Sequence, residues 1–179
     1  MALKNTHSSF GLTTKMIHWA MFILILMTIV GGYQLDGMPD GDAKWAAFDE
    51  HKSFGALILI LALARLVWRF INVVPTFDSL TASEHRKAVA MQWLLYLLFI
   101  AQPLSGVIMS QAGGRPVSFF GLFNLPTIVA ESKAIGSFAH SLHLWVWIAL
   151  SVAIGLHILA ALRHQFILKN DVLSKITHG

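Results

Sequence analysis

The stretch His143-Leu-Trp-Val-Trp-Ile-Ala-Leu-Ser-Val-Ala-Ile-Gly-Leu-His157 decides how the rest of the chain is read. Its two imidazoles are fourteen residues apart. At ~100° per residue they return to within roughly 40° of one direction, and at ~1.5 Å rise they stand about 21 Å apart. Apart from Ser151, everything between them is apolar or small, so both rings enter a lipid-like medium where an unpaired polar group is costly. One helix face therefore presents two imidazoles at two depths, and each needs a partner.

The composition around this stretch is that of a bilayer protein. Of 179 residues, 56% are hydrophobic and 12% charged, too oily for the surface of a water-soluble domain. No cysteine is present, which excludes disulfides, thiolate zinc sites, iron–sulfur clusters and thiol catalysis and leaves His and Met as the soft ligands. The basic balance does not point to nucleic acid: the charges lie between apolar runs rather than in one patch, as membrane topology requires.

Outward from the quoted stretch, four apolar runs predict spans at 16–35, 51–71, 89–111 and 135–166, each long enough to cross ~30 Å of hydrocarbon. The first is read as an uncleaved span, since a secretory signal has a shorter apolar core and a small-residue exit. An acidic aqueous loop is expected over 36–50 and a polar connector with a short helical start over 72–87. Gln102-Pro103 should kink the third span, which contains no histidine and reads as wall rather than ligand set. The apolar loop over 112–133 should lie at the interface or cap the bundle. The expected architecture is all-α: an integral-membrane four-helix bundle, one transmembrane domain over 1–179.

Lysine and arginine set the expected orientation. The tails and second connector carry Lys4, Lys15, Arg65, Arg69, Arg86, Lys87, Arg163, Lys169 and Lys175, whereas the first and third connectors carry only Lys44, Lys52, Arg115 and Lys133. Nine against four places both termini in the cytoplasm.

Topology then sorts the histidines by depth. His18 enters helix one from the terminus side and His51 enters helix two from the opposite side, while His143 and His157 lie early and late in the last helix. Two pairs follow, His18 with His157 and His51 with His143, and two opposed rings at equal depth are what a bis-histidine iron requires. The expectation is two haems, one above the other, with the last helix common to both. Gly55, Ala153 and Gly155 are expected to make room for a flat macrocycle, and Lys15, Lys52, Arg65, Arg69 and Arg163 stand at heights suited to propionates. His140 is the rival to His143, but its spacing of seventeen to His157 leaves roughly 100° of angular error, which assigns it to the loop-facing rim. His164, beside Arg163, reads as interfacial, and His7, His85 and His178 read as solvated.

Ile17-His18-Trp19, His51-Lys-Ser-Phe-Gly55, Leu142-His143 and Leu156-His157 through Ala160-Ala-Leu-Arg-His164 together resemble the prokaryotic cytochrome b561 family, over almost the whole chain. The resemblance implies a multi-pass dihaem b cytochrome of the bacterial inner membrane, with axial ligands at His18, His51, His143 and His157 and ubiquinone as substrate. It implies electron transfer between a periplasmic donor or acceptor and the quinone pool, on the pattern of a superoxide:ubiquinone oxidoreductase or of the haem-b anchor subunit of a larger oxidoreductase complex. Gly114-Arg-Pro-Val-Ser-Phe-Phe-Gly121 is similar to a branch associated with a periplasmic lipocalin-like polyisoprenoid-binding protein, and a homodimer is a further candidate assembly. Arg163-His164 departs from the adjacent histidines common in the family. The rival from another class is a histidine-lined metal-ion carrier, against which stands the lack of any carboxylate inside the spans.

Overall fold

The computed structural model describes residues 2–177, so His178 lies outside the described residues. Among these, four helices are long and apolar enough to cross a membrane: α1 (Leu12–Gly37), α2 (Asp42–Phe70), α3 (Ala82–Ala112) and α4 (Lys133–Phe166). They contain 26, 29, 31 and 34 residues, about 39 to 51 Å of helix against ~30 Å of hydrocarbon, so each outruns the bilayer. Their outward faces keep large apolar side chains exposed, among them Ile23, Leu97, Trp145 and Leu159, as a lipid-facing surface demands.

The helices begin earlier than the apolar runs predict, and local chemistry accounts for it. Much of the acidic segment expected as a loop is the first two turns of α2, with Asp42 in the first turn complementing the helix dipole. The expected polar connector ends at Thr81, whose side chain accepts from the Glu84 amide while the Glu84 carboxylate accepts from the Thr81 amide. That capping box starts α3 at Ala82 rather than near 89. At the N-terminus of α1, the Asn5 side chain accepts from the Gly11 amide and the Thr14 hydroxyl, folding the leading segment back on the helix. A Cβ at Gly11 would collide with the backbone of Leu3 and Lys4, so this return needs glycine.

α3 packs along α4, α1 against α2 and α2 against α3, whereas α4 has no extended packing with α1 or α2 among the described residues. Two apolar clusters fill the middle of the bundle, one centred on Leu95, Leu98, Val146 and Leu150, the other on Met21, Ile25, Ile58 and Ala62. Phe99 and Ile154 belong to both and form a mid-depth layer.

Two smaller devices close the ends. Between α3 and α4 the loop forms an antiparallel hairpin of β1 (Ser118–Phe119) and β2 (Phe123–Asn124). It is latched to α2 by buried Ser53, whose hydroxyl donates to the Ser118 carbonyl (2.9 Å) and accepts from the Phe120 amide (3.1 Å). Phe120 packs edge-on against Phe54. At the other end the short helix α5 (Val172–Thr177), which the apolar pattern does not foretell, docks back on α4 and on the connector before α3. Asp171 accepts from Ser79 (2.6 Å), Lys175 donates to the Thr76 carbonyl, and the Trp19 indole donates to the Ile176 carbonyl. The Ser79 hydroxyl and, after it, Lys175 hold the Asp171 carboxyl below the usual carboxylate range.

Candidate functional site

α4 carries His143 and His157 about 21 Å apart along its axis, and each ring is met across the bundle by an imidazole from a different helix. His157 faces His18 of α1 with ring centroids 6.4 Å apart and planes at 59°. His143 faces His51 of α2, also at 6.4 Å, with planes at 76°. The four sequence-selected histidines thus come together as the two expected pairs. With Ile154, the pairs bridge α4 to α1 and α2, against which it has no extended packing.

The separation is chemically informative. Two metal–imidazole bonds of about 2.0 Å plus about 1.2 Å from nitrogen to ring centre at each end place opposed centroids about 6.4 Å apart. Direct ring contacts span about 4.5–7 Å, so the distance fits them too; an iron between the rings also accounts for its recurrence in two pairs at opposite ends of one helix. The backbone is thinned against the rings as well: a Cβ on Gly32 would stand 3.0 Å from His51 Cε1, and one on Gly106 3.1 Å from His143 Cε1. Gly55 and Gly155 are different, since a Cβ at either would meet nothing within 4 Å. The glycines that seat the imidazoles are therefore not the ones singled out from sequence.

The two ends differ in what surrounds the rings. His143 Nδ1 lies 2.9 Å from the Gln102 backbone carbonyl and 3.1 Å from Ser105 Oγ, and Ser105 itself donates to that carbonyl. A carbonyl only accepts, so the proton sits on His143 Nδ1 and the Nε2 lone pair is left for a donor or a metal. The Gln102 amide nitrogen meets it at 3.0 Å. α3 was expected to be wall alone; instead it orients a candidate ligand, because the Gln102-Pro103 segment faces α4. His51 Nδ1 is buried with no hydrogen-bond partner among the described residues, a condition that costs about 1–3 kcal/mol when nothing compensates it.

At the opposite end, Arg65 Nη2 lies 2.8 Å from His18 Nδ1. Arg69, one turn on, donates to Gln92 and stacks over Trp93. Both arginines, with His18, His157 and Tyr96, line a largely apolar cavity of about 400 Å³, floored by the N-terminal segment and α5. No carboxylate among the described residues pairs with either arginine. Of the other basic side chains read as propionate partners, Lys52 pairs with Asp49 and Arg163 approaches Glu84. His140 is exposed and lines an open pocket with Lys133, Ser137 and Ser141 at the rim, one turn of α4 before His143 and outside both ring contacts. His164 meets Asn170 near the end of α4.

The fold and the ring pairs define a class: membrane-spanning helical bundles with opposed histidines at two depths. Comparison with known proteins gives the family. The sequence profile described as prokaryotic cytochrome b561 matches residues 9–179. Cytochrome b561 homolog 2 of Escherichia coli (strain K12) is 32% identical over 178 residues, 98% of this chain and 95% of the relative. The probable superoxide oxidase CybB of Yersinia pestis is 27% identical over 172 residues, 95% and 96% of the two chains. Cytochrome b562 of Cereibacter sphaeroides is 26% identical over 165 residues, 89% of each. The chain belongs to the prokaryotic cytochrome b561 family and is a multi-pass bacterial membrane cytochrome that binds b-type haem. That membership replaces the ion-carrier reading with a cytochrome.

Proposed function

We propose that this chain is a dihaem cytochrome of the inner membrane, a single transmembrane domain with both termini cytoplasmic, that transfers electrons between a periplasmic donor or acceptor and the quinone pool. The observation that carries the reading is the matched 6.4 Å separation in two ring pairs at opposite ends of α4. Haem held at these positions supplies a one-electron carrier at each depth.

The chain's own residues have distinct tasks. His18 with His157 and His51 with His143 would hold the two irons, and the open space beside Gly55 and Gly155 would leave room for a macrocycle. The Gln102 carbonyl fixes the His143 tautomer, as partners of ligating imidazoles do. Phe99 and Ile154 keep the layer between the pairs dry. Arg65 and Arg69 offer positive charge to propionates, and the adjoining apolar cavity suits a quinone ring. The hairpin roofs the opposite pair and is the surface offered to a periplasmic partner, whether a lipocalin-like polyisoprenoid carrier or the membrane portion of a larger complex.

A relative described as a probable superoxide oxidase makes superoxide the donor to test first. In proteoliposomes, superoxide should reduce the haem α band and drive ubiquinone reduction, and under anaerobic conditions a quinol analogue should reduce the oxidised protein. Haem that neither superoxide nor quinol reduces would contradict the relay and leave it a structural group.

A further inference from the structure

The two ring pairs share a spacing but not an electrostatic setting, and the differences all act in one sense. His143 donates its Nδ1 proton to a backbone carbonyl, which gives the ring partial imidazolate character and makes it the stronger electron donor to a metal. His18 Nδ1 faces the Arg65 guanidinium, which carries five donors and no acceptor, so it cannot strengthen the ring in that way. Instead it sets a permanent positive charge beside the ring, in a cavity with a second cation, Arg69, and no carboxylate among its described lining residues.

The charge beyond the first neighbours follows the same division. On the terminus side the nine basic side chains named above face three acidic ones, Asp78, Glu84 and Asp171. On the connector side four basic side chains face six acidic ones, Asp36, Asp40, Asp42, Asp49, Glu50 and Glu131. Positive surroundings favour the less positive, reduced form of an iron site, and a stronger axial donor favours the oxidised form.

Resting on the dihaem reading, we infer that Arg65 is a tuning residue that makes the His18/His157 site the higher-potential of the two, with the Gln102 carbonyl lowering the potential of the His51/His143 site. An electron shared between the sites then resides at the terminus side, beside the apolar cavity. The effect does not depend on whether the guanidinium stays on the imidazole or pairs with a propionate, because its removal subtracts one positive charge either way.

The test is a redox titration of the α band, with haem quantitation, on wild type, Arg65→Met, Arg65→Gln and Arg65→Lys. Wild type should titrate in two waves. Both neutral variants should shift the higher wave downward and leave the lower one in place, Arg65→Gln by the larger amount because its amide oxygen can accept from His18. Arg65→Lys should restore most of the shift. A shift of the lower wave, an equal shift of both or no shift would overturn the inference. So would loss of haem from both neutral variants, which would make Arg65 a structural residue. A wild type with one haem per chain fails the dihaem reading itself, and the haem count reports that separately from the order of the waves.

Discussion

The connector-side pair, His51 and His143, and the terminus-side pair, His18 and His157, are built to the same ring spacing in different materials. The first is closely fitted: Gly32 and Gly106 lie against the rings, Gln102 and Ser105 orient one of them, and a latched hairpin roofs the end. The second opens into an apolar cavity of about 400 Å³ with two arginines and a floor clasped by α5. The α-helical repeat sets where the rings stand on α4, and the side chains each neighbouring helix lacks or supplies set how they are held. Ligand geometry and ligand environment are therefore separable, and substitutions should separate them.

The largest effects belong to the rings. His143→Ala should remove the connector-side haem and His157→Ala the terminus-side haem, each seen as loss of one component of the reduced-minus-oxidised spectrum, while His140→Ala keeps both. Haem loss in His140→Ala with retention in His143→Ala would reverse the ligand assignment. Next come the seating glycines. Gly32→Val pushes a side chain into His51, and overpacking of this kind costs about 1–3 kcal/mol. Gly32→Val should therefore deplete the connector-side component and lower the melting temperature. Gly31→Val, where a Cβ meets nothing within 4 Å, should do neither.

The pairing of the histidines was legible because it needs only depth: entry side, turn count and the fourteen-residue spacing fix it without knowing how any helix is rotated. The surroundings were not legible, since they depend on rotation. The apolar part of α3, 89–111, contains no histidine to mark its inward face, so the approach of the Gln102 carbonyl to His143 has no sequence signature beyond the proline that follows it. Arg65 and Arg69 were placed at the right height, but the contact with His18 rather than with a headgroup is set by how α1 and α2 pack. The helix starts at Asp42 and Ala82 were missed because hydropathy registers lipid and not caps, although Thr81 and Glu84 spell a capping box. α5 has six residues, too few for a periodic pattern, and rests on tertiary contacts.

Smaller effects probe the two ends in turn. Ser53→Ala removes a buried hydroxyl that serves the Ser118 carbonyl and the Phe120 amide, worth about 1–3 kcal/mol when its partners are left unmet. The hairpin should loosen, seen as faster chymotryptic cleavage after Phe120, which Gly121 follows, with the terminus-side spectrum unchanged. An unchanged cleavage rate would mean that Val117, buried in the loop before β1, and the Phe120–Phe54 contact hold the roof without the latch.

The smallest effect concerns the floor. Asp171 titrates below the usual carboxylate range because Ser79 and Lys175 favour its charged form, so its contribution is present above the ordinary carboxylate pKa and is lost as pH falls through the lowered folded value. The group is largely exposed, which keeps the contribution small. Protection of the α5 amides, as the ratio of intrinsic to observed hydrogen-exchange rate at each pH, should fall on acidification in wild type and lose that dependence in Asp171→Asn.

The central claim is that each ring pair grips its own iron, and haem per polypeptide measures it most directly. On the purified full chain, pyridine haemochrome against quantitative amino-acid analysis should give two b-type haems per chain. A ratio of one, with the full complement of folded protein, would contradict it.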